Sequence, residues 1–264
     1  MIERDAPIGV MDSGIGGLTV VRELQHILPG EDIIYYGDNA NCPYGNKSYD
    51  QIVVLSRKML DFFCENKVKV VAVACNTIST LLDYLKPNLG FEIIGIIDSA
   101  AACVSDKGLK EVGLLATEFT VSTGYYERAI HSHSPIIKVI AQGSPLLAAL
   151  LEKNYGGTKQ SEIDAEIKKQ VDHILSRCCV SHLILGCTHY PIAEESFKRY
   201  YPNLKLINPA IEQAKAVRAF LEKNDSVNTQ RQGCFTVCTS GDPQVYLDMA
   251  RRLGLFKTTA LHLT

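Results

Sequence analysis

The chain has 264 residues, 46% of them hydrophobic, and 27 Lys and Arg against 29 Asp and Glu give a formal net charge of -2. That length supports one large or two modest domains, each with a real core. The balanced charge, with no Lys/Arg cluster and no apolar run of membrane-spanning length, excludes a nucleic-acid footprint and a membrane anchor, so a small molecule is the expected partner.

Strands alternate with helical segments from the start, the βαβ pattern of a mainly parallel sheet. The segment before Ile8 is short and charged and does not read as a secretory leader, so the nine cysteines are expected as reduced thiols in a cytoplasmic protein. The first strand starts at Ile8 and runs into Asp12-Ser13-Gly14-Ile15-Gly16-Gly17, a turn whose backbone N–H groups suit a small carboxylate or phosphate. A dinucleotide fingerprint would need a third glycine where Thr19 stands, so that signal fails. A helix over Thr19 to Leu28 stops at Pro29-Gly30, a strand covers Ile33 to Asp38, and Asn39 to Asn46 is a turn-rich loop. Tyr49 to Lys67 reads as a long helix with Ile52, Leu55, Met59, Leu60 and Phe63 on one face. The strand from Val70 ends in Cys75-Asn76-Thr77, followed by a helix over Ile78 to Leu85 that ends before Pro87, and a strand from Phe91.

Asp98 to Lys107 opens the second half. Strands are predicted over Val112 to Thr117, Ile136 to Ala141, His182 to Gly186 and Leu204 to Asn208. Helices are predicted over Val121 to His131, Ser144 to Lys153, Ser161 to Arg177, Ile192 to Tyr200 and Ile211 to Leu221. Asn224 to Gly233 reads as a polar surface loop, before the strand Phe235 to Thr239 and the helix Pro243 to Leu253. Cys234 and Cys238 share a face of that last strand and are expected in the core.

The halves repeat each other. The strands from Ile8, Ile33, Val70 and Phe91 recur in order as those from Val112, Ile136, His182 and Leu204, and Cys75-Asn76-Thr77 is answered by Cys187-Thr188-His189. The expected fold is therefore α/β, two pseudo-symmetric domains with mainly parallel sheets: residues 1–98 plus 210–264, and residues 99–209. Because ligands bind outside the carboxyl ends of parallel strands, both thiols are offered to one ligand in the cleft between the halves. A thiol titrates near ~8.5, and cations or helix N-termini lower that value, so it can take a weakly acidic proton from carbon. Thr117 and Thr120, at the matching strand end, are capping residues whose hydroxyls point toward the same cleft. No second cysteine pair complements Cys234 and Cys238, and Cys178, Cys179, Cys187 and His189 do not form a zinc knuckle, so no metal is expected.

Asp12-Ser13-Gly14-x-Gly16-Gly17-Leu18, Tyr36-Gly37-Asp38 with Pro43-Tyr44-Gly45, Ala74-Cys75-Asn76-Thr77 and Gly186-Cys187-Thr188-His189-Tyr190-Pro191 together resemble the glutamate racemases of the aspartate/glutamate racemase superfamily. The resemblance runs over essentially the whole chain. It implies a cofactor-independent interconversion of L- and D-glutamate that feeds peptidoglycan synthesis, in a homodimer. It also implies that Cys75 takes the α-proton of D-glutamate with the help of Asp12, and that Cys187 takes that of L-glutamate with the help of His189, oriented by Glu152. Substrate contacts carry over to Ser13, Asp38, Pro43, Tyr44, Gly45, Asn76, Thr77, Thr117, Thr120 and Thr188. Three positions depart from the family pattern: Asn208 where an acidic residue is usual, Ser144 in place of a cysteine, and Asn39 in place of a threonine. A racemase of aspartate or another acidic amino acid, and a two-lobe binding module without chemistry, are the competing expectations.

Overall fold

The structure, a computed structural model, describes residues 2–85, 89–154 and 157–263. Pro87, read as a helix stop, lies outside them. Strands are β1 (Ile8–Asp12), β2 (Ile33–Gly37), β3 (Val70–Val73), β4 (Glu92–Gly95), β5 (Glu111–Thr117), β6 (Lys138–Ser144), β7 (His182–Gly186), β8 (Lys205–Ile207), β9 (Phe235–Thr239) and β10 (Thr258–His262). Helices are α1 (Leu18–Ile27), α2 (Tyr49–Glu65), α3 (Asn76–Ser79), α4 (Leu82–Leu85), α5 (Ile96–Asp106), α6 (Glu118–Ser122), α7 (Tyr125–His133), α8 (Leu147–Glu152), α9 (Gln160–Arg177), α10 (Glu194–Tyr200), α11 (Pro209–Lys223) and α12 (Pro243–Arg252).

Among the described residues the strands form a six-stranded sheet, β10-β9-β2-β1-β3-β4, and a four-stranded sheet, β6-β5-β7-β8. All the pairings are parallel. The order β2-β1-β3-β4 in one sheet recurs as β6-β5-β7-β8 in the other, which is the repeat legible in the sequence. In each sheet the chain reverses direction of travel across the crevice between β1 and β3, or between β5 and β7, and such switch points are where open parallel sheets bind ligands. Ser13 and Cys75 leave the first crevice; Thr117 and Cys187 leave the second.

β1, β3 and most of β7 are buried along their length, as strands covered on both faces must be. One apolar cluster joins the two sheets: Val10, Val70 and Ala72 share it with Leu114 and Ile184 through residues of α1, α5, α7 and α11. The buried Gln213 of α11 donates to Val73 O at 2.9 Å and Ile94 O at 2.8 Å, fastening that helix to the ends of β3 and β4. No helix among the described residues is long and apolar enough to cross a membrane.

The structure departs from the sequence expectations in several places. The predicted helix from Val121 is divided by Gly124, which adopts φ +63, and the helix predicted from Ile78 is two short ones, α3 and α4. β6 extends to Ser144, so α8 starts later than predicted. Asn224 to Gly233 has no helix or strand, yet Ser226 and Asn228 are buried, because Lys69 Nζ donates to Ser226 O at 2.9 Å while pairing with Glu31 at 2.6 Å. Cys234 is exposed rather than in the core, since β9 begins one residue later, whereas Cys238 is buried.

Asn208 is the N-cap of α11: its Oδ1 accepts from Ala210 N at 3.1 Å. Aspartate caps equally well and alanine does not. Asn208→Asp is therefore expected to keep both Tm and turnover, while Asn208→Ala should lose about 1 kcal/mol of stability by denaturant unfolding; a turnover loss in Asn208→Asp comparable to that of a thiol variant would refute this placement.

Candidate active site

Cys75 and Cys187 line one small cavity, with Ser13, Cys42, Pro43, Tyr44, Gly45, Asn76, Thr77, Thr117, Ala148, Thr188 and His189 as its other walls. Its free volume is about 20 Å³, room for about one water molecule. A larger surface hollow of about 370 Å³, beside Lys69 and Phe91, has the exposed thiol Cys64 in its wall.

The two thiols have different surroundings. Cys75 donates to Ser13 Oγ at 3.6 Å. Burial, then the charge of Asp12, pushes its pKa up to about 12, against the Ile78 backbone and the Ser13 hydroxyl, which favour the thiolate. Cys187 Sγ instead lies 3.6 Å from His189 Nδ1, and the opposite ring nitrogen, Nε2, is bonded to Glu152. Burial disfavours charge on His189, but the Glu152 carboxylate and Cys187 outweigh it and hold its pKa well above the usual histidine range. A cationic imidazolium facing Sγ stabilises negative charge that forms there.

Asp12 does not touch the cavity. Its Oδ2 accepts from Gly14 N at 3.1 Å and its Oδ1 from Thr188 Oγ at 3.2 Å. Burial raises its pKa to about 6, partly offset by His189 and by the Gly14 and Gly17 backbone. Three N–H groups of the Asp12–Gly17 turn, expected to hold a ligand anion, instead serve the protein's own carboxylates: those of Gly14 and Gly17 serve Asp12, and Ile15 N donates to Glu152 Oε2 at 3.4 Å. Glycine is required at position 16 because a Cβ there would lie 2.4 Å from Thr188 Oγ and 2.6 Å from His189 Nδ1.

Asp38 also stands behind the wall. Its carboxylate accepts from Tyr44 at 2.5 Å, Ser240 at 2.6 Å and Asn41 at 3.0 Å, so it braces the Pro43-Tyr44-Gly45 segment from outside the cavity. Thr117 caps α6 by accepting from Thr120 N at 3.2 Å, and its hydroxyl lies 2.9 Å from that of Thr120 and 3.3 Å from that of Thr77. Thr120 is buried behind that trio's other two hydroxyls and does not line the cavity. Asn76 is held by Tyr126, whose hydroxyl donates to Asn76 Oδ1 at 2.6 Å, while the buried Nδ2 has no partner in the protein. A buried amide donor without a partner is costly, and this one belongs to a cavity-lining residue.

Sequence reasoning missed Cys42, Ala148, Tyr126 and a role for Asn39. Cys42 lines the cavity as a thiol whose pKa is driven up by burial and by the charges of Glu152 and Asp12. Asn39 Nδ2 donates to Glu152 Oε1. Ser144, another departure, donates to Glu166 at 2.7 Å and accepts from Leu147 N, at the start of α8, at 3.1 Å, and does not line the cavity.

The family model for Asp/Glu/Hydantoin racemase matches residues 8–217. Glutamate racemases from Herpetosiphon aurantiacus and Thermoanaerobacter pseudethanolicus are each 35% identical, the first over 91% of this chain and 94% of its own length, the second over 94% and 92%. The structure is similar to that of Francisella tularensis glutamate racemase in complex with D-glutamate, with a TM-score of 0.85 at 32% identity, covering 99% of this chain and 97% of that one. A Bacillus anthracis glutamate racemase isoform aligns with a TM-score of 0.91 at 29% identity, over 99% and 98%. With two parallel sheets in one order, a cavity between their carboxyl ends and these relatives over nearly its full length, the chain belongs to the Asp/Glu/Hydantoin racemase family and is an amino-acid racemase, an isomerase.

Proposed function

We propose that this racemase interconverts L- and D-glutamate without a cofactor, using Cys75 and Cys187 as acid and base on opposite faces of the α-carbon, and so supplies D-glutamate for peptidoglycan. The observation that carries the reading is the convergence of two buried thiols, from equivalent strand ends of two sheets, on one cavity. Residues 1–98 with 210–264, and residues 99–209, would act as its two halves. The choice of glutamate is supported by the names of the relatives and by D-glutamate in the Francisella structure.

In this reading the Cys187 thiolate, held opposite His189, takes the α-proton of L-glutamate and becomes a thiol, while the Cys75 thiol gives its proton to the other face of the carbanion and is left as a thiolate. The raised pKa of Cys75 suits that task, because a thiol with a pKa of about 12 is protonated at neutral pH. The reverse reaction exchanges the roles. The carbanion is stabilised through its carboxylate, for which Asn76 Nδ2 and the hydroxyls of Ser13, Thr77, Thr117 and Thr188 are the available donors. Because the closed cavity holds little more than a water, substrate enters by parting of the two walls, and reclosure excludes solvent from the developing charge.

Replacing either Cys75 or Cys187 by alanine is expected to reduce racemisation at least 10²- to 10⁴-fold in both directions, measured by circular dichroism with each enantiomer; a variant of either thiol with near-native turnover would refute the two-thiol reading. Dialysis against a strong chelator, and addition of pyridoxal phosphate, should both leave the rate unchanged. Activity lost on chelation and restored by a divalent metal would contradict the cofactor-free reaction.

A further inference from the structure

Glu152 receives three donors, and two of them come from the opposite side of the cleft. His189 Nε2 belongs to the turn after β7, but Ile15 N and Asn39 Nδ2 belong to the turns after β1 and β2. Ile15 N is distant, at 3.4 Å, so the amide of Asn39 is the close contact from that side. Asn39 is itself boxed in. A Cβ at Gly241 would lie 2.8 Å from Asn39 Oδ1, so the oxygen end packs against the turn after β9 and the nitrogen end meets Glu152. Asn39 also starts the short 3-10 turn Asn39–Asn41 that leads into Pro43-Tyr44-Gly45, which forms a wall of the cavity.

We propose that Asn39 is a positioning residue for Cys187: as the Pro43-Tyr44-Gly45 wall closes on substrate, Asn39 docks on Glu152 and fixes the Glu152–His189 pair that faces the thiol. The inference rests on the two-thiol reading above. When the walls part to admit substrate, Glu152 loses its Asn39 contact and His189 loses a fixed partner. The base that serves L-glutamate is then assembled only in the closed state. Cys75, whose partner Ser13 lies on its own side of the cleft, has no such dependence.

An effect confined to one thiol leaves a signature that general damage does not. Enantiomers are equal in energy, so Asn39→Ala must lower kcat/KM equally in both directions, by about 10- to 100-fold for a lost hydrogen bond to a charged group. Substrate isotope effects then separate the two steps. With α-deuterated L-glutamate, C–H cleavage at Cys187 becomes more fully rate-limiting and the isotope effect on kcat/KM should rise. With α-deuterated D-glutamate, cleavage at Cys75 becomes less limiting and the effect should fall toward unity.

The near-isosteric Asn39→Asp keeps the packing against Gly241 while removing the donor and facing Glu152 with a like charge, so the same asymmetry with a larger loss is expected. Cys187→Ser, assayed in parallel at high enzyme concentration, sets the reference asymmetry. If Cys187→Ser shows it and neither folded Asn39 variant does, the role of Asn39 is refuted alone. If Cys187→Ser does not show it, the two-thiol reading falls and this inference with it.

Discussion

Two parallel sheets meet with their carboxyl ends facing, and everything at the cavity depends on how closely the turns beyond those ends approach. The turn after β1 lies against the turn after β7 so tightly that a Cβ on Gly16 would strike Thr188 and His189, and one on Gly14 would lie 2.9 Å from both oxygens of Glu152. That approach is compatible with burial because the carboxylates drawn into it are satisfied: Asp12 by Gly14, Gly17 and Thr188, and Glu152 by His189, Asn39 and Ile15. A buried carboxylate left unpaired would cost several kcal/mol. The close approach is therefore held by polar contacts as well as by the apolar cluster that joins the sheets.

Repetition of the fold has not produced repetition of the chemistry. Cys75 and Cys187 occupy equivalent strand ends, yet one lies beside a hydroxyl and near a carboxylate, and the other beside an imidazole backed by a carboxylate. The difference arises from the path the chain takes beyond each strand. After β3 the chain enters α3 at once, so Asn76 and Thr77 present polar groups to the cavity; after β7 it makes the turn that carries Thr188 and His189 before the 3-10 turn Tyr190–Ala193. The two halves also differ in size, because β9 and β10 extend only the first sheet and α12 connects them.

Much of this was legible in the chain because the central parallel strands are buried on both faces and read as continuous apolar runs, each ending in a polar signature. β10 was not legible: Thr258-Thr259-Ala260-Leu261-His262 is an edge strand with a half-exposed, mixed composition, and no apolar run marks it. Cys42 and Ala148 enter the wall through the path of loops and a helix start, which local pattern does not fix. Tyr126 and Asn39 act on partners 50 and 113 residues away, Asn76 and Glu152, and no spacing rule connects such pairs. Asp12 and Asp38 were found by motif, but motif could not tell a group that lines the cavity from one that braces it.

The central claim is that one carbon is worked on from opposite faces by two separate acids and bases, and the origin of the hydrogen in the product tests it most directly. L-glutamate with protium at the α-carbon is turned over in heavy water, and both enantiomers are analysed by mass spectrometry before much conversion has occurred. A two-thiol reaction predicts D-glutamate that carries one deuterium at the α-carbon, delivered by Cys75, while the remaining L-glutamate is still unlabelled. D-glutamate that retains the original α-protium, or L-glutamate that becomes labelled as fast as product forms, would mean that a single base serves both faces and would contradict it.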